Sequence, residues 1–399
     1  MNANRLTVLG LCGYDFRNVG DDAFMAVLGE QLVRARSAAE VRVTSSYVPA
    51  GCQSDHLLPI YRGLGRWRGA SLLRLLKFGG NLDAVVLCGG SVLHEACHFE
   101  RETLKLRALQ ARNPGLRTAA LGVSIGPIHS SGQVRRLIRY LNRFDYASVR
   151  DEPSWEFLCA QPLRCRTERH FDLAALLLRE PQPTQRVRQA CDDICGPMTI
   201  GLAPCHVQRF RGGDPALDDA RCVKIAEALR RLARRQRLLV RFFEFNGHAI
   251  QGDRPAIEAI CRGLDGLDAI EVIPYRPDPR YFLNEVGRCD AMIAMRLHSA
   301  VFAFLRKVAL VSLAYHPKCM GFSRDIGLPA DSILDAGNFV PGDLVQAVEA
   351  ALAGGGRGSL RVESAIASAQ RHWAGAFETW AFPETAGSPN KAVASVLEG

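Results

Sequence analysis

Short, mostly apolar runs alternate with longer amphipathic ones along this chain. That alternation predicts buried parallel strands separated by helices. Residues 6–11, 41–45, 82–87, 118–123 and 147–149 read as strands in the first half, and 198–202, 238–243, 269–273, 291–295 and 308–313 in the second. Helical spacing covers 23–35, 133–144, 223–237, 255–263 and 299–305. A Pro-bearing stretch at 181–197 interrupts the rhythm, which then restarts. The expected fold class is α/β, with two doubly wound Rossmann-like domains facing a central cleft. The expected boundaries are 1–180 and 198–345, with a helical tail over 346–399 that packs back across the domains.

Open α/β sheets bind ligands beyond the carboxyl ends of their strands, so the residues delivered there carry the chemistry. The first strand runs into a glycine-bearing loop that ends Asn18-Val19-Gly20-Asp21-Asp22. The strand at 82–87 ends in Cys88-Gly89-Gly90-Ser91, with His94 and Glu95 behind, and that at 118–123 ends in Ser124-Ile125-Gly126-Pro127. Arg150-Asp151 closes the next, and His170-Phe171-Asp172 closes the first half. The dinucleotide fingerprint G-x-G-x-x-G is absent, so no nicotinamide cofactor is implied. Asn18 and Asp21 also suit turn and N-cap roles, and Asp172 suits a cap.

In the second half the strand at 291–295 ends in Arg296-Leu297-His298-Ser299. An arginine, an imidazole and a hydroxyl thus fall where a strand hands over to a helix whose free N–H groups attract anions. The strand at 308–313 delivers Tyr315, His316 and Lys318 to the same edge. Arg296 and Lys318 form a candidate cation pair, and His298 a candidate general acid/base, since imidazole titrates near neutral pH.

Composition narrows the picture. The chain has 399 residues, enough for two domains, and 48% hydrophobic residues, enough to bury two cores. Only 354–359, rich in glycine and serine, and the far C-terminus read as disordered. The net charge is +9, from 50 basic and 41 acidic residues, which favours phosphorylated metabolites, an anionic membrane surface or nucleic acid. No nucleic-acid module is recognisable, so no nucleic-acid partner is expected. The segment 61–78 interleaves Arg66, Arg68, Arg74 and Lys77 with Trp67, leucines and Phe78. It reads either as a basic amphipathic segment at the inner membrane surface or as an ordinary surface helix. No run has the length and apolarity of a membrane span, and the first strand lacks a signal-peptide pattern, so a cytoplasmic location is expected. The 13 cysteines contain no C-x-x-C pair, and Cys191 and Cys195 lack partners for a zinc site. Reduced thiols and no metal are the expectation.

The ordered set Asn18-x-Gly20-Asp21-Asp22, Gly89-Gly90, Gly122-x-x-x-Gly126-Pro127, Val149-Arg150-Asp151-x-x-Ser154, Asp172, Arg296-Leu297-His298-Ser299 and Tyr315-His316-Pro317-Lys318 resembles the polysaccharide pyruvyl transferase family. The resemblance implies a two-domain protein of the GT-B type. It also implies an enzyme that moves the pyruvyl group of phosphoenolpyruvate to a sugar as a ketal, releasing phosphate. The acceptor would be a cell-surface glycan or its lipid-linked precursor, as in exopolysaccharide biosynthesis, and no cofactor beyond the donor substrate is needed. Carried over, Arg296 and His298 match the family's active-site motif. Lys318, Ser299, Tyr315, Arg150, Gly89 and Gly90 join the substrate-binding set, and Asn18, Gly20 and Asp21 shape the acceptor or domain-interface side. The chain departs from the family in one place. Many relatives place an arginine early in the second domain, where this chain reads Gly201-Leu202-Ala203-Pro204-Cys205. Arg209 and Arg211 are the two candidates to supply that charge.

Two other readings remain open on the residues alone. A glycosyltransferase of similar fold would use the same Arg/Lys pair on the diphosphate of a nucleotide sugar. A non-catalytic sugar-binding relative would need neither Arg296 nor His298.

Overall fold

The computed structural model describes residues 6–11, 17–35, 38–52, 57–60, 81–178, 196–264 and 269–381. The basic segment 61–78, most of the 181–197 linker with Cys191 and Cys195, and part of the loop after the first strand lie outside these residues.

Contacts divide the chain into two units: residues 1–15, 21–177 and 365–399 form the first, and 16–20 and 178–364 the second. The first unit holds a sheet of β1 (Thr7–Leu11), β2 (Glu40–Val43), β3 (Leu57–Pro59), β4 (Ala84–Cys88), β5 (Arg117–Val123), β6 (Tyr146–Val149) and β7 (Arg166–Arg169). Its strand order is β3-β2-β1-β4-β5-β6-β7, every pair parallel. The second unit holds β8 (Met198–Ala203), β9 (Leu238–Phe243), β10 (Ile270–Ile273), β11 (Ala291–Ala294), β12 (Ala309–Ala314) and β13 (Ile333–Asp335). Its order is β10-β9-β8-β11-β12-β13, again all parallel. The second sheet has the doubly wound order 3-2-1-4-5-6 and the first has the same order with a seventh strand added, so the strand order of each reverses once, between β1 and β4 and between β8 and β11. The two α/β halves expected from the apolar rhythm are both present.

The central strands are buried on both faces because helices cover both sides of a parallel sheet. Every residue of β4, β6, β11 and β12 is buried, which explains their largely apolar spelling, broken only by Ser148 and Ser312. The edge strands β3, only three residues long, and β7 and β13, with half-exposed and partly polar residues, carry no buried-strand pattern.

Two expectations change. The 354–359 stretch is folded: Leu310 N–H at the start of β12 donates to Gly356 O at 2.8 Å, and Ser359 N–H donates to Gly327 O at 3.3 Å. The C-terminal segment also divides. Helix Pro341–Ala350 buries Leu344, Val345, Ala347 and Val348 in the second core, whereas helix Val362–Thr379 belongs to the first unit from Ala365 onward. There the fully buried His372 links Ser148 Oγ (2.7 Å from Nδ1) and the Phe171 carbonyl (2.8 Å from Nε2). A carbonyl only accepts, so Nε2 carries the proton and Nδ1 accepts from the serine. Phe171 N–H donates to Ser368 Oγ at 3.0 Å. These bonds commit the helix from Ala365 onward to the first unit.

Candidate active site

In the second unit the carboxyl ends of β8 and β11 lie side by side at the switch point, with Ala294 paired to Ala203. The chain leaving β11 delivers Arg296 as the N-cap of helix Leu297–Leu305. Its guanidinium donates through Nε to Asp253 Oδ1 at 2.8 Å, and Nη2 bonds the same oxygen. Asp253 is fully buried and accepts at Oδ2 from the Asn246 N–H at 2.8 Å. Burial alone would lower the pKa of Arg296, but the Asp253 carboxylate more than offsets it and the guanidinium is held charged. A fixed cation therefore sits where Rossmann-like sheets bind ligands.

Other groups gather around it. Tyr315 follows β12, and burial pushes its phenol up. Burial raises the Cys205 thiol to about 12, with Arg296 the strongest opposing charge. Burial also raises Cys319, with the charges of Lys318 and Arg296 opposing it. Lys318 is half-buried in the first turn of helix Pro317–Asp325, its backbone N–H on His316 Nδ1 at 3.2 Å.

The loop after β8 decides which arginine reaches this group. Arg209 forks onto Asp219, both oxygens at 2.9 Å. Arg211 instead stands over the Tyr315 ring at 5.7 Å. It is exposed and has no carboxylate partner among the described residues. The buried Asp218 anchors this loop, accepting from the N–H groups of Val207 (2.9 Å), Gln208 (3.2 Å) and Arg209 (3.0 Å) and pairing with Arg221 at 2.7 Å. Of the two candidates, Arg211 is the one beside the site.

His298 lies in the first turn of helix Leu297–Leu305, against Gly20. A Cβ on Gly20 would fall 2.0 Å from His298 Nδ1, so only glycine leaves room for the ring. Gly20 is held there by a strap: Val19 N–H donates to Phe245 O at 2.9 Å, Gly247 N–H to Arg17 O at 2.8 Å, and Asn18 bridges Asn246. The Asn18 side chain accepts from Gly20 N–H at 2.9 Å, a turn-stabilising role.

The remaining expected residues go elsewhere. Ser299 is fully buried and its hydroxyl donates to Arg296 O at 2.6 Å, so its proton is spent on the first turn of its own helix and not on a substrate. Arg150 belongs to the first unit and is buried, donating to Asp172 at 2.6 Å and Ser124 Oγ at 2.8 Å, with the Phe24 ring 5.3 Å away. It ties the ends of β5 and β6 to the loop after β7 and is not a cation waiting for an anion. Asp172 caps Ala174 N–H at 2.8 Å as well. Gly89 and Gly90 sit at the first unit's switch point with φ of 63° and 85°. A Cβ on Gly89 would strike the Phe24 ring at 2.4 Å, and Asp21 Oδ1 lies 4.0 Å from where a Gly90 Cβ would be. The first unit thus keeps Asp21, Gly89, Gly90 and Arg150, while the second gathers Arg296, His298, Tyr315, Lys318, Asn18 and Gly20.

Sequence reasoning did not single out Asp253 and Asp218 as site residues. Asp253 precedes Arg254-Pro255 and reads as a helix N-cap; its true partner, Arg296, is 43 positions away. Asp218 carried a local signal, an arginine three residues on at Arg221. Among the described residues, no cluster of three His, Cys, Asp or Glu residues could hold a metal ion. No helix of the described residues is long and apolar enough to cross a membrane.

Two Rossmann-like sheets, with a histidine and several cations at the switch point of the second, define an enzyme-like α/β protein of the GT-B fold class. Structural comparison agrees on the fold. A putative UDP-N-acetylglucosamine 2-epimerase from Listeria monocytogenes superposes with a TM-score of 0.64 at 13% identity, covering 94% of this chain and 97% of its own. The UDP-GlcNAc 2-epimerase of Methanocaldococcus jannaschii gives 0.60 at 12%, covering 92% and 98%. Anabaena HepE, solved with UDP-glucose, gives 0.53 at 13%, covering 99% of each chain. No curated protein sequence matches the chain significantly. The family model for polysaccharide pyruvyl transferase matches residues 18–317. The chain belongs to the polysaccharide pyruvyl transferase family.

Proposed function

We propose that this protein transfers the pyruvyl group of phosphoenolpyruvate to two hydroxyls of a sugar, in a cell-surface glycan or its lipid-linked precursor, as a ketal. The observation that carries the reading is the Arg296-Leu297-His298 turn, its arginine fixed by Asp253 and with Arg211, Tyr315 and Lys318 gathered beside it. A donor with both a carboxylate and a phosphate needs several cations, and charge-assisted hydrogen bonds are the strong ones.

In this mechanism Arg296, Lys318 and Arg211 bind the donor's anionic groups. His298, protonated, delivers its proton to the enol methylene carbon, which becomes the methyl group. The first sugar hydroxyl adds to the adjacent carbon and its proton returns to His298. Phosphate then leaves with the electron pair of the C–O bond. The second hydroxyl adds to the same carbon, its proton departing with phosphate as hydrogen phosphate. Charge and protons balance without metal or cofactor, and the imidazole ends as it began.

The fold neighbours named for nucleotide sugars support a second reading, glycosyl transfer from such a donor. One experiment separates the two. Thermal shift and calorimetry are run with phosphoenolpyruvate and with a nucleotide-sugar panel, followed by phosphate release in the presence of candidate sugar acceptors. Phosphoenolpyruvate binding with acceptor-dependent phosphate release, lost in His298→Ala, is the expected result. Stabilisation by a nucleotide sugar alone would overturn the pyruvyl reading.

A further inference from the structure

The second unit carries another groove, at the opposite edge of its sheet, where the chain enters β12. Its volume is about 450 Å³, within the usual range for small-molecule sites. Phe304, Val308, Leu310, Ile326 and Val362 make an apolar floor. Lys307, Arg357 and Arg361 line it as cations, against the single carboxylate of Glu363.

The charges do not cancel. Glu363 is shared between Lys307, at 3.7 Å, and Arg361, at 3.5 Å. A hydrogen bond from its own backbone N–H, with those two cations, holds its carboxyl below the usual range, so it is fully ionised and spent. Arg357 is exposed and has no ion-pair partner among the described residues. Its position is fixed on both sides. Leu310 N–H holds the Gly356 carbonyl at 2.8 Å, and Gly358 is pressed so close that a Cβ would lie 2.3 Å from Ile326 O. An unpaired cation on an anchored backbone, above an apolar floor, is complementary to an anion with an apolar body.

We propose that this groove binds one small amphipathic anion, its phosphate or carboxylate head at Arg357 and Arg361 and its apolar body along the Phe304, Leu310 and Ile326 floor. The concavity favours a single molecule over a flat bilayer. The site lies at the amino ends of the strands, so it is separate from the switch-point site at their carboxyl ends.

The test is calorimetry on the full chain with n-octyl phosphate below its micelle concentration, n-butyl phosphate and inorganic phosphate. Affinity should rise from inorganic phosphate to butyl to octyl phosphate, by up to about four-fold for each methylene that reaches the floor. Arg357→Glu should weaken octyl phosphate about ten-fold or more with unchanged melting, because a charged contact becomes a repulsion. Leu360→Glu, on the half-buried wall, should flatten the chain-length dependence. Phosphoenolpyruvate binding should be unchanged in both variants, which keeps the two sites apart. Equal affinity for octyl and inorganic phosphate would overturn the proposal, as would octyl phosphate binding that ignores Arg357. Binding of phosphatidylglycerol vesicles that depends on Arg357, without binding of monomeric octyl phosphate, would overturn it too and make the surface a membrane contact.

Discussion

Gly20→Ala isolates the role of His298 without touching it. The new Cβ would lie 2.0 Å from Nδ1, 2.3 Å from Cε1 and 2.7 Å from Cγ of the imidazole. Comfortable contact begins at about 3.5 Å, so the ring must retreat by about 1.5 Å. Because Gly20 starts a helix, the substitution would otherwise be neutral or favourable, by at most about 1 kcal/mol. Overpacking costs about 1–3 kcal/mol, so the net loss of stability is no more than about 3 kcal/mol, below the roughly 5–15 kcal/mol usual for a folded protein. Catalysis is more sensitive, since a misplacement of about 1 Å in a reacting group costs on the order of 100-fold. The expected result is a kcat roughly 100-fold lower, with donor affinity nearly unchanged because Arg296, Lys318 and Arg211 are untouched. Phosphate release with saturating acceptor, donor titration and thermal melting read these three quantities. A folded variant with wild-type kcat would refute the reasoning, because proton transfer would then not depend on where this ring sits.

Arg296→Ala should do more than weaken donor binding. It strips both guanidinium donors from the fully buried Asp253, and orphaning a buried partner costs about 3–5 kcal/mol; wild-type melting would show that the pair carries no such coupling. Arg211→Ala should raise the donor KM about ten-fold with melting unchanged, while Arg209→Ala, its guanidinium committed to Asp219, should leave KM alone; the reverse pattern would hand the role to Arg209. His372, pushed down to about 3 by burial and then by the neighbouring His170, should make the protein acid-sensitive. Its folded pKa lies below the unfolded value near 6.5, so no penalty exists above that pH. Stability then falls by about 1.4 kcal/mol per unit as pH drops from 6.5 towards 3. Denaturant titrations across pH 4–7 should show this slope, and His372→Gln should flatten it; an unchanged slope would assign the sensitivity to other groups.

What the linear chain determined was whatever depends on local pattern. Apolar runs such as 291–295 became buried strands because a parallel sheet covered on both faces favours near-continuous hydrophobicity. The Arg296-Leu297-His298 turn was legible because a strand end followed by a helix start places its side chains at the ligand-binding edge. Residues whose role depends on partners far along the chain were not legible. The same arginine letter stands for a buried tie at Arg150, a paired fork at Arg209 and an unpaired cation at Arg211; only packing assigns Asp172 to the first and Asp219 to the second. Ser299 looked like a substrate hydroxyl, yet helix geometry turned it onto the Arg296 carbonyl. Gly20 and His298 are 278 positions apart in sequence order, as their numbers show, and nothing local says that one must be small for the other to fit. Periodicity is a property of neighbours in sequence, whereas charge pairing and steric room are properties of neighbours in space. The fold followed from the first, and the working of the site from the second.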